Sequence, residues 1–212
     1  MMVDIAYLST SGVLFCRETE DRMSPLLHLT VVVLMYGFAD GRVYKQIINV
    51  ANGGSWGDWK FLDMCPDKQY ARGFAIKVEH HQPDKADDTS LNGIRLVCTD
   101  PEYKKGHNIE SAVGGWGEWT TTSWCPSGVL VSFSLQVESK KGYGDDTAAN
   151  NIRFYCSGGV VIDGYGGHSG KYGPWSDSCL KGVCGIMTRV EDHQGSQDDT
   201  ALNDVRFFCC TD

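Results

Sequence analysis

The sequence predicts an all-β protein in which three copies of one unit close around a shared core. Three observations lead there: a motif that recurs three times at a fixed internal rhythm, period-two apolar alternation within every copy, and frequent turn residues, 25 of the 212 positions being Gly. No part of the chain after residue 40 carries helical periodicity.

The recurring motif is Asp-Asp-Thr followed by an Asn, an Arg and a Cys. Asp87-Asp88-Thr89 leads to Asn92, Arg95 and Cys98; Asp145-Asp146-Thr147 leads to Asn150, Arg153 and Cys156; Asp198-Asp199-Thr200 leads to Asn203, Arg206 and Cys209. A period of about 50 residues argues for one architecture of equivalent units. A unit of that size buries only a marginal core alone, so the fold is collective.

Ahead of the repeats, Leu26 to Met35 is an apolar run followed by Gly37-Phe38-Ala39, small residues of the kind found at a signal-peptidase site. Residues 23–39 are therefore expected to be a secretory signal, with translation starting at Met23 and residues 1–22 an extension of the gene model. The run is short for a membrane span and His28 interrupts it, so no span is expected in the mature chain. Residues 40–212 form a single domain with repeats at about 44–100, 101–158 and 159–212. The formal charge of −8, without any Lys/Arg run, disfavours nucleic acid and anionic membranes as partners.

Nine Cys become eight once Cys16 is removed, an even number suited to four disulfides in an oxidising compartment. Repeat position suggests Cys65 with Cys98, Cys125 with Cys156, Cys179 with Cys209, and the extra pair Cys184 with Cys210. The adjacent Cys209 and Cys210 point to opposite faces of a strand, and at this level their partners are interchangeable.

Within each copy one strand precedes the acidic pair: Phe74, Ile76 and Val78, then Phe133, Leu135 and Val137, then Ile186, Thr188 and Val190. A second follows it, with Ile94, Leu96 and Cys98 on one face, matched by Ile152, Phe154 and Cys156 and by Val205, Phe207 and Cys209. The alternation makes these half-buried strands and puts Glu79, Glu138 and Glu191, with Arg95, Arg153 and Arg206, on the outer face, where three cross-strand ion pairs are expected.

Each copy opens with an aromatic pair, Trp56-Gly57-Asp58-Trp59 and Trp116-Gly117-Glu118-Trp119, reduced in the third to Tyr172-Gly173-Pro174-Trp175. Core packing is one role for these rings. The other is stacking on sugar rings, with Trp56, Trp59, Trp116, Trp119 and Trp175 as candidates.

These openings, the strand Phe74-Ala75-Ile76-Lys77-Val78-Glu79, the run Gly144 to Arg153 and the ending Asp198 to Cys210 resemble the vitelline membrane outer layer protein I family. The resemblance runs from about Tyr44 to Cys210. It implies a β-prism, three Greek-key sheets forming the faces of a triangular prism around a pseudo-threefold axis. It also implies a secreted protein of egg coats and mucosal fluids, and it links the chain to lysozyme-like oligosaccharide chemistry without carrying over any catalytic residue.

Glycosyl hydrolysis or transfer needs two carboxyl groups facing one bond. Asp87, Asp88, Asp145, Asp146, Asp198 and Asp199 are the candidates, with Glu79, Glu138 and Glu191 near them in sequence. Threefold repetition argues the other way, because a single active site needs one raised and one ionised carboxyl group. Asp and Thr also fix turns by bonding to nearby backbone amides, and Asn92, Asn150 and Asn203 can complete the same turns.

No phosphate loop, nucleophile elbow, H-E-x-x-H motif or C-x-x-C pair is present, so no cofactor or metal is expected. The leading expectation is a secreted structural or barrier protein of an extracellular coat or mucosal fluid, associated with coat or mucin-like glycoproteins. The alternatives are a transferase acting on chito-oligosaccharides and a β-prism lectin.

Overall fold

The computed structural model describes residues 42–79, 90–102, 106–138, 149–191 and 202–212. The expected extension (1–22), the expected signal peptide (23–39) and the three Asp-Asp-Thr triplets lie outside these residues.

The described strands, in chain order, are β1 (Gln46–Ile48), β2 (Asp58–Trp59), β3 (Asp63–Met64), β4 (Tyr70–Val78), β5 (Leu91–Thr99), β6 (Gly106–Glu110) and β7 (Glu118–Trp119). They continue with β8 (Ser123–Trp124), β9 (Leu130–Val137), β10 (Ala149–Cys156), β11 (Val161–Asp163), β12 (Lys171–Tyr172), β13 (Val183–Val190) and β14 (Leu202–Cys209). They form three antiparallel sheets. The first has the order β6-β5-β4-β7 with β8 also on β4, the second β11-β10-β9-β12, and the third β1-β14-β13-β2 with β3 also on β13. In the first two, a long hairpin is flanked on one side by the next strand in sequence and on the other by the one after it, the Greek-key order, and in the third β1 and β2 take those two places. The protein is thus an all-β β-prism. Each hairpin carries a register shift near either end, as between Ala71 and Gly73 and between Lys77 and Val78. Bulges of this kind increase local twist, which helps a sheet to curl around a core.

The sheets are offset from the sequence repeats. The opening of each copy adds its short strand to the hairpin of the preceding copy: β7 pairs with β4 and β12 with β9. The first opening closes the ring, because β1 pairs with β14 and β2 with β13. The third sheet therefore forms only when the two ends of the domain meet.

The disulfides follow the same circuit. The Cys65 amide bonds to Cys184 O on the third sheet, and its sulfur bridges to Cys98 on the first. Cys125 bonds to Arg72 O on the first sheet and bridges to Cys156 on the second; Cys179 bonds to Val131 O on the second and bridges to Cys209 on the third. Cys184 on β13 bridges to Cys210, the residue that follows β14, while Cys179 bridges to Cys209. Side chains bond across the seams as well: Thr188 Oγ1 donates to Ala112 O at 2.6 Å, Ser123 Oγ to Asp163 O at 2.9 Å, and Asn52 Nδ2 to Leu135 O at 2.9 Å.

The inward residues meet in one core. Its widest layer takes two facing residues from each hairpin, Phe74 with Leu96, Phe133 with Phe154, and Ile186 with Phe207. All six are essentially inaccessible to solvent. Phe154 lies 4.7 Å from Phe74 and 5.1 Å from Phe207 between ring centroids, so one ring touches all three sheets.

The outer faces differ from the half-buried pattern expected of them. Ala75, Ser134 and Phe208 point away from the core and are nevertheless buried. The opening segments and a layer of arginine and aromatic side chains cover these faces.

The expected Glu–Arg cross-strand pairing is also corrected. Arg95 stands opposite Ala75, Arg153 opposite Ser134 and Arg206 opposite Met187. Glu79, Glu138 and Glu191 each come four residues further along the strand, about 13 Å away at the usual rise. Phase sets the face of a residue, whereas register sets its neighbour. The arginines stack on rings instead: Arg95 over Trp119 at 3.9 Å, Arg206 over Trp59 at 3.9 Å, and Arg153 over Tyr172 at 4.2 Å. Arg95 Nε also donates to Glu110 Oε2 at 2.8 Å.

At the outer end of the first and third sheets, Arg42 donates to Asp212 Oδ1 at 2.8 Å and to the carbonyls of Pro66 and Gln69. The Lys68 amide and the Tyr70 hydroxyl also bond to Asp212. The Arg42 hydrogen bond is the main cause that holds the Asp212 carboxyl down at about 2. A carboxyl group depressed in the folded state stabilises it above the unfolded value of 3.8, and that contribution is lost as pH falls from there toward 2. Asp204 has the opposite sign, because burial raises its pKa. Asp212→Asn is therefore expected to flatten the thermal-stability profile between about pH 4 and 2. An unchanged slope by scanning calorimetry would refute the clasp.

Candidate functional site

Each opening loop is built around a glycine that must approach backbone closely. Gly57, Gly117 and Gly170 have φ of +73°, +81° and +79°, a region that L side chains rarely adopt. A Cβ on Gly117 would collide with the backbone of Val78 and Glu79, one on Gly57 with Val190 and Glu191, and one on Gly170 with Val137 and Glu138. Each opening thus crosses the end of a hairpin directly against one of the three candidate glutamates. Upstream, the amides of Gly54, Gly114 and Gly167 donate to the carbonyls of Asn203, Asn92 and Asn150. These three Asn are buried at the strand ends beside the openings.

This equivalence corrects the third opening. Lys171–Tyr172 pairs with Val137–Gln136 as Asp58–Trp59 pairs with Val190–Arg189 and Glu118–Trp119 with Val78–Lys77. The third copy therefore opens with Ser169-Gly170-Lys171-Tyr172, three residues earlier than the aromatic spacing indicated. Tyr172 and Trp175 mimic the W-G-x-W spacing, but the positive-φ glycine sets the register.

The candidate aromatic residues fall in three places. Trp56 and Trp116, 53% and 49% exposed, stand on the openings beside Glu191 and Glu79, and Ser169 takes the equivalent place beside Glu138. Trp59 and Trp119 lie half-buried under Arg206 and Arg95, outside the apolar core that was one of their two expected roles. Trp175 sits on the outer face of the second sheet, 4.9 Å from Arg153.

The polar residue beside each opening strand differs while its task is shared. Lys77 Nζ donates to Gly114 O at 2.9 Å, Gln136 Nε2 to Ser169 O at 2.7 Å, and Arg189 Nε to Gly57 O at 2.9 Å. Sequence reasoning missed these three because they share no side-chain type. It also missed Trp124, an exposed ring laid over Gly73, where a Cβ would come within 2.7 Å of it.

The structure brings Glu79, Glu138 and Glu191 to the ends of three hairpins, the first two beside the opening of the following copy and Glu191 beside the first opening, where the ring closes. Asp87, Asp88, Asp145, Asp146, Asp198 and Asp199 lie outside the described residues. Among the described residues no cluster of His, Cys, Asp and Glu is arranged to hold a metal ion. No helix among them is long and apolar enough to cross a membrane.

Comparison with known proteins matches residues 46–212 to the model of the vitelline membrane outer layer protein I family. The vitelline membrane outer layer protein 1 homolog of Mus musculus is 49% identical over 191 residues, which cover 87% of this chain and 95% of the relative. The Homo sapiens homolog is 48% identical over 192 residues with the same coverage. Among solved structures, Calystegia sepium agglutinin superposes with a TM-score of 0.51 at 12% identity, covering 79% of this chain and 97% of its own. A single-chain recombinant jacalin also gives 0.51, covering 82% of this chain and 99% of its own. At such low identity these two establish a shared fold alone. The matched family spans every sheet, opening and disulfide described above, and this chain belongs to the vitelline membrane outer layer protein I family.

Proposed function

We propose that the protein is a secreted structural component of an extracellular coat or mucosal fluid that associates with the glycans of coat or mucin-like glycoproteins. The observation that carries this reading is the disulfide circuit, in which Cys65–Cys98, Cys125–Cys156 and Cys179–Cys209 tie each sheet to the next. Such a circuit requires an oxidising compartment and supports persistence outside the cell. The names of the mouse and human relatives support the coat setting. The exposed Trp56 and Trp116 support the glycan part, since an aromatic face can stack on the C–H face of a pyranose.

Expression of the full chain in mammalian cells tests the reading. The protein is expected in the medium, beginning near Asp40, with no thiol available to alkylation. Retention in the cytosol with free thiols would refute it. Incubating the secreted product with chito-oligosaccharides and weighing them by mass spectrometry separates binding from transfer, because altered oligomer lengths would replace the structural reading with the enzymatic one.

A further inference from the structure

The three sheets serve as controls for one another, and the second departs from the other two at one place on its outer face. The facing pairs there are Val97 with Gly73, Phe208 with Gly185, and Tyr155 with Ser132. In the first sheet Trp124 lies over Gly73, and in the third Met64 lies over Gly185. Beside these large side chains Val97 is 8% and Phe208 2% exposed. In the second sheet two exposed residues, Asp177 and Ser178, fill the place of Trp124 and Met64, between the Ser176 amide bonded to Phe133 O and the Cys179 amide bonded to Val131 O, and Ser132 Oγ is bonded to Ser176 O at 3.0 Å. Among the described residues nothing comparable covers Tyr155, which is 41% exposed.

Tyr155 is accompanied. Trp175, 39% exposed, meets it edge-on, with ring centroids 6.1 Å apart and planes at 80°. The two rings form an open right-angled corner. Arg153 supports it from below, stacked at 4.9 Å on Trp175 and at 4.2 Å on Tyr172. Opposite Arg153 stands Asp163, the counterpart of Glu110 opposite Arg95. Glu110 Oε2 accepts a hydrogen bond from Arg95 Nε, whereas the shorter Asp163 accepts from the Tyr172 hydroxyl at 3.4 Å. Arg153 Nε is left buried without a hydrogen-bond partner. A buried donor without a partner is destabilising, and the first sheet avoids this at the same position, where Arg95 Nε is paired. Tyr172, pushed up to about 12 chiefly by burial and then by Asp163, stays a hydrogen-bond donor at every physiological pH.

We propose that the Tyr155–Trp175 corner on the outer face of the second sheet is a carbohydrate-binding platform for a neutral pyranose, separate from the Trp-bearing openings. The proposal rests on the glycan part of the function proposed above and gives it a location. Two perpendicular rings present one flat wall to stack on a sugar's C–H face and one edge to bound it. The exposed carboxylates of Asp163 and Asp177 flank the corner and can accept hydrogen bonds from sugar hydroxyls. The two exposed carboxylates repel anionic groups, so sialylated and sulfated sugars are disfavoured. Among the described residues the first and third sheets have no such corner, which sets the second sheet apart in a threefold molecule.

The test uses the oxidised, secreted protein labelled with nitrogen-15, whose Trp indole N–H resonances are assigned by single substitution. Diacetylchitobiose, lactose and methyl mannoside are titrated to millimolar concentration, with sialyllactose as the acidic comparison. At least one neutral probe is expected to shift the Trp175 resonance. Tyr155→Val with Trp175→Leu, which installs residues the other sheets carry at these places, is expected to weaken binding about tenfold or more. Phe61→Thr, which removes an exposed aromatic ring with no part in the corner, is expected to leave it unchanged. Shifts confined to Trp56 and Trp116 would overturn the platform and leave the glycan reading standing, whereas no shift from any neutral probe would overturn both. Tighter binding of sialyllactose would overturn the preference for neutral sugars. Mapping on the wild-type protein decides the location even if the double variant fails to fold.

Discussion

Reduction of the four disulfides is expected to unfold the domain at 37 °C. The bridges span 33, 31, 30 and 26 residues. In the chain-entropy model each contributes about 3 to 4 kcal/mol. Together they match or exceed the roughly 5 to 15 kcal/mol by which domains are usually stable. Two of the circuit bridges also act where β-pairing is short, since β3 and β8, which directly precede Cys65 and Cys125, are only two residues long. Replacing Cys125 and Cys156 together by Ala should remove about 3 to 4 kcal/mol in a urea titration. Near-ultraviolet circular dichroism retained after all eight thiols are reduced and alkylated would refute this account.

Phe154→Ala is expected to cost about 3 to 5 kcal/mol, the largest effect of a single core substitution here. The ring of Phe154 packs against Phe74 of the first sheet, Phe207 of the third and Phe133 of its own. Its loss opens a cavity that all three sheets line, and no single sheet can collapse into it. Phe154→Leu copies Leu96, which takes the same place in the first sheet, and should cost less, about 1.5 kcal/mol or below. Guanidinium titration should show one cooperative transition at lower midpoint for each variant. A second transition in Phe154→Ala would mean that the sheets unfold separately.

The legible part of this protein was the part governed by local rules. Alternation at Phe133, Leu135 and Val137 marks an inward face because successive side chains on a strand point to opposite sides. The fixed interval between each Asp-Asp-Thr and its Cys marks three equivalent units, and the family motifs within them led to the β-prism. The register of the openings was harder to see. Trp175 follows Tyr172 at the same spacing as the Trp pairs, and only the positive φ of Gly170 and its fit against Val137 reveal the true third opening.

The Arg–Glu pairing failed for a related reason. Alternation gives each side chain a face, but Arg95 takes its neighbours from hairpin register and from Trp119, which arrives from the next copy. The glutamates lie on the expected strands and meet the openings instead.

The sequence by itself determined an all-β chain of three similar units, because periodicity and repetition are properties of residues near one another. Only the tertiary structure decided that each opening belongs to the preceding sheet, that three disulfides run in a circuit, and that one outer face is left bare at Tyr155. Those outcomes depend on which distant backbones come into contact. The closing contact, between β1 and β14, joins segments more than 150 residues apart, a relation no local pattern can encode.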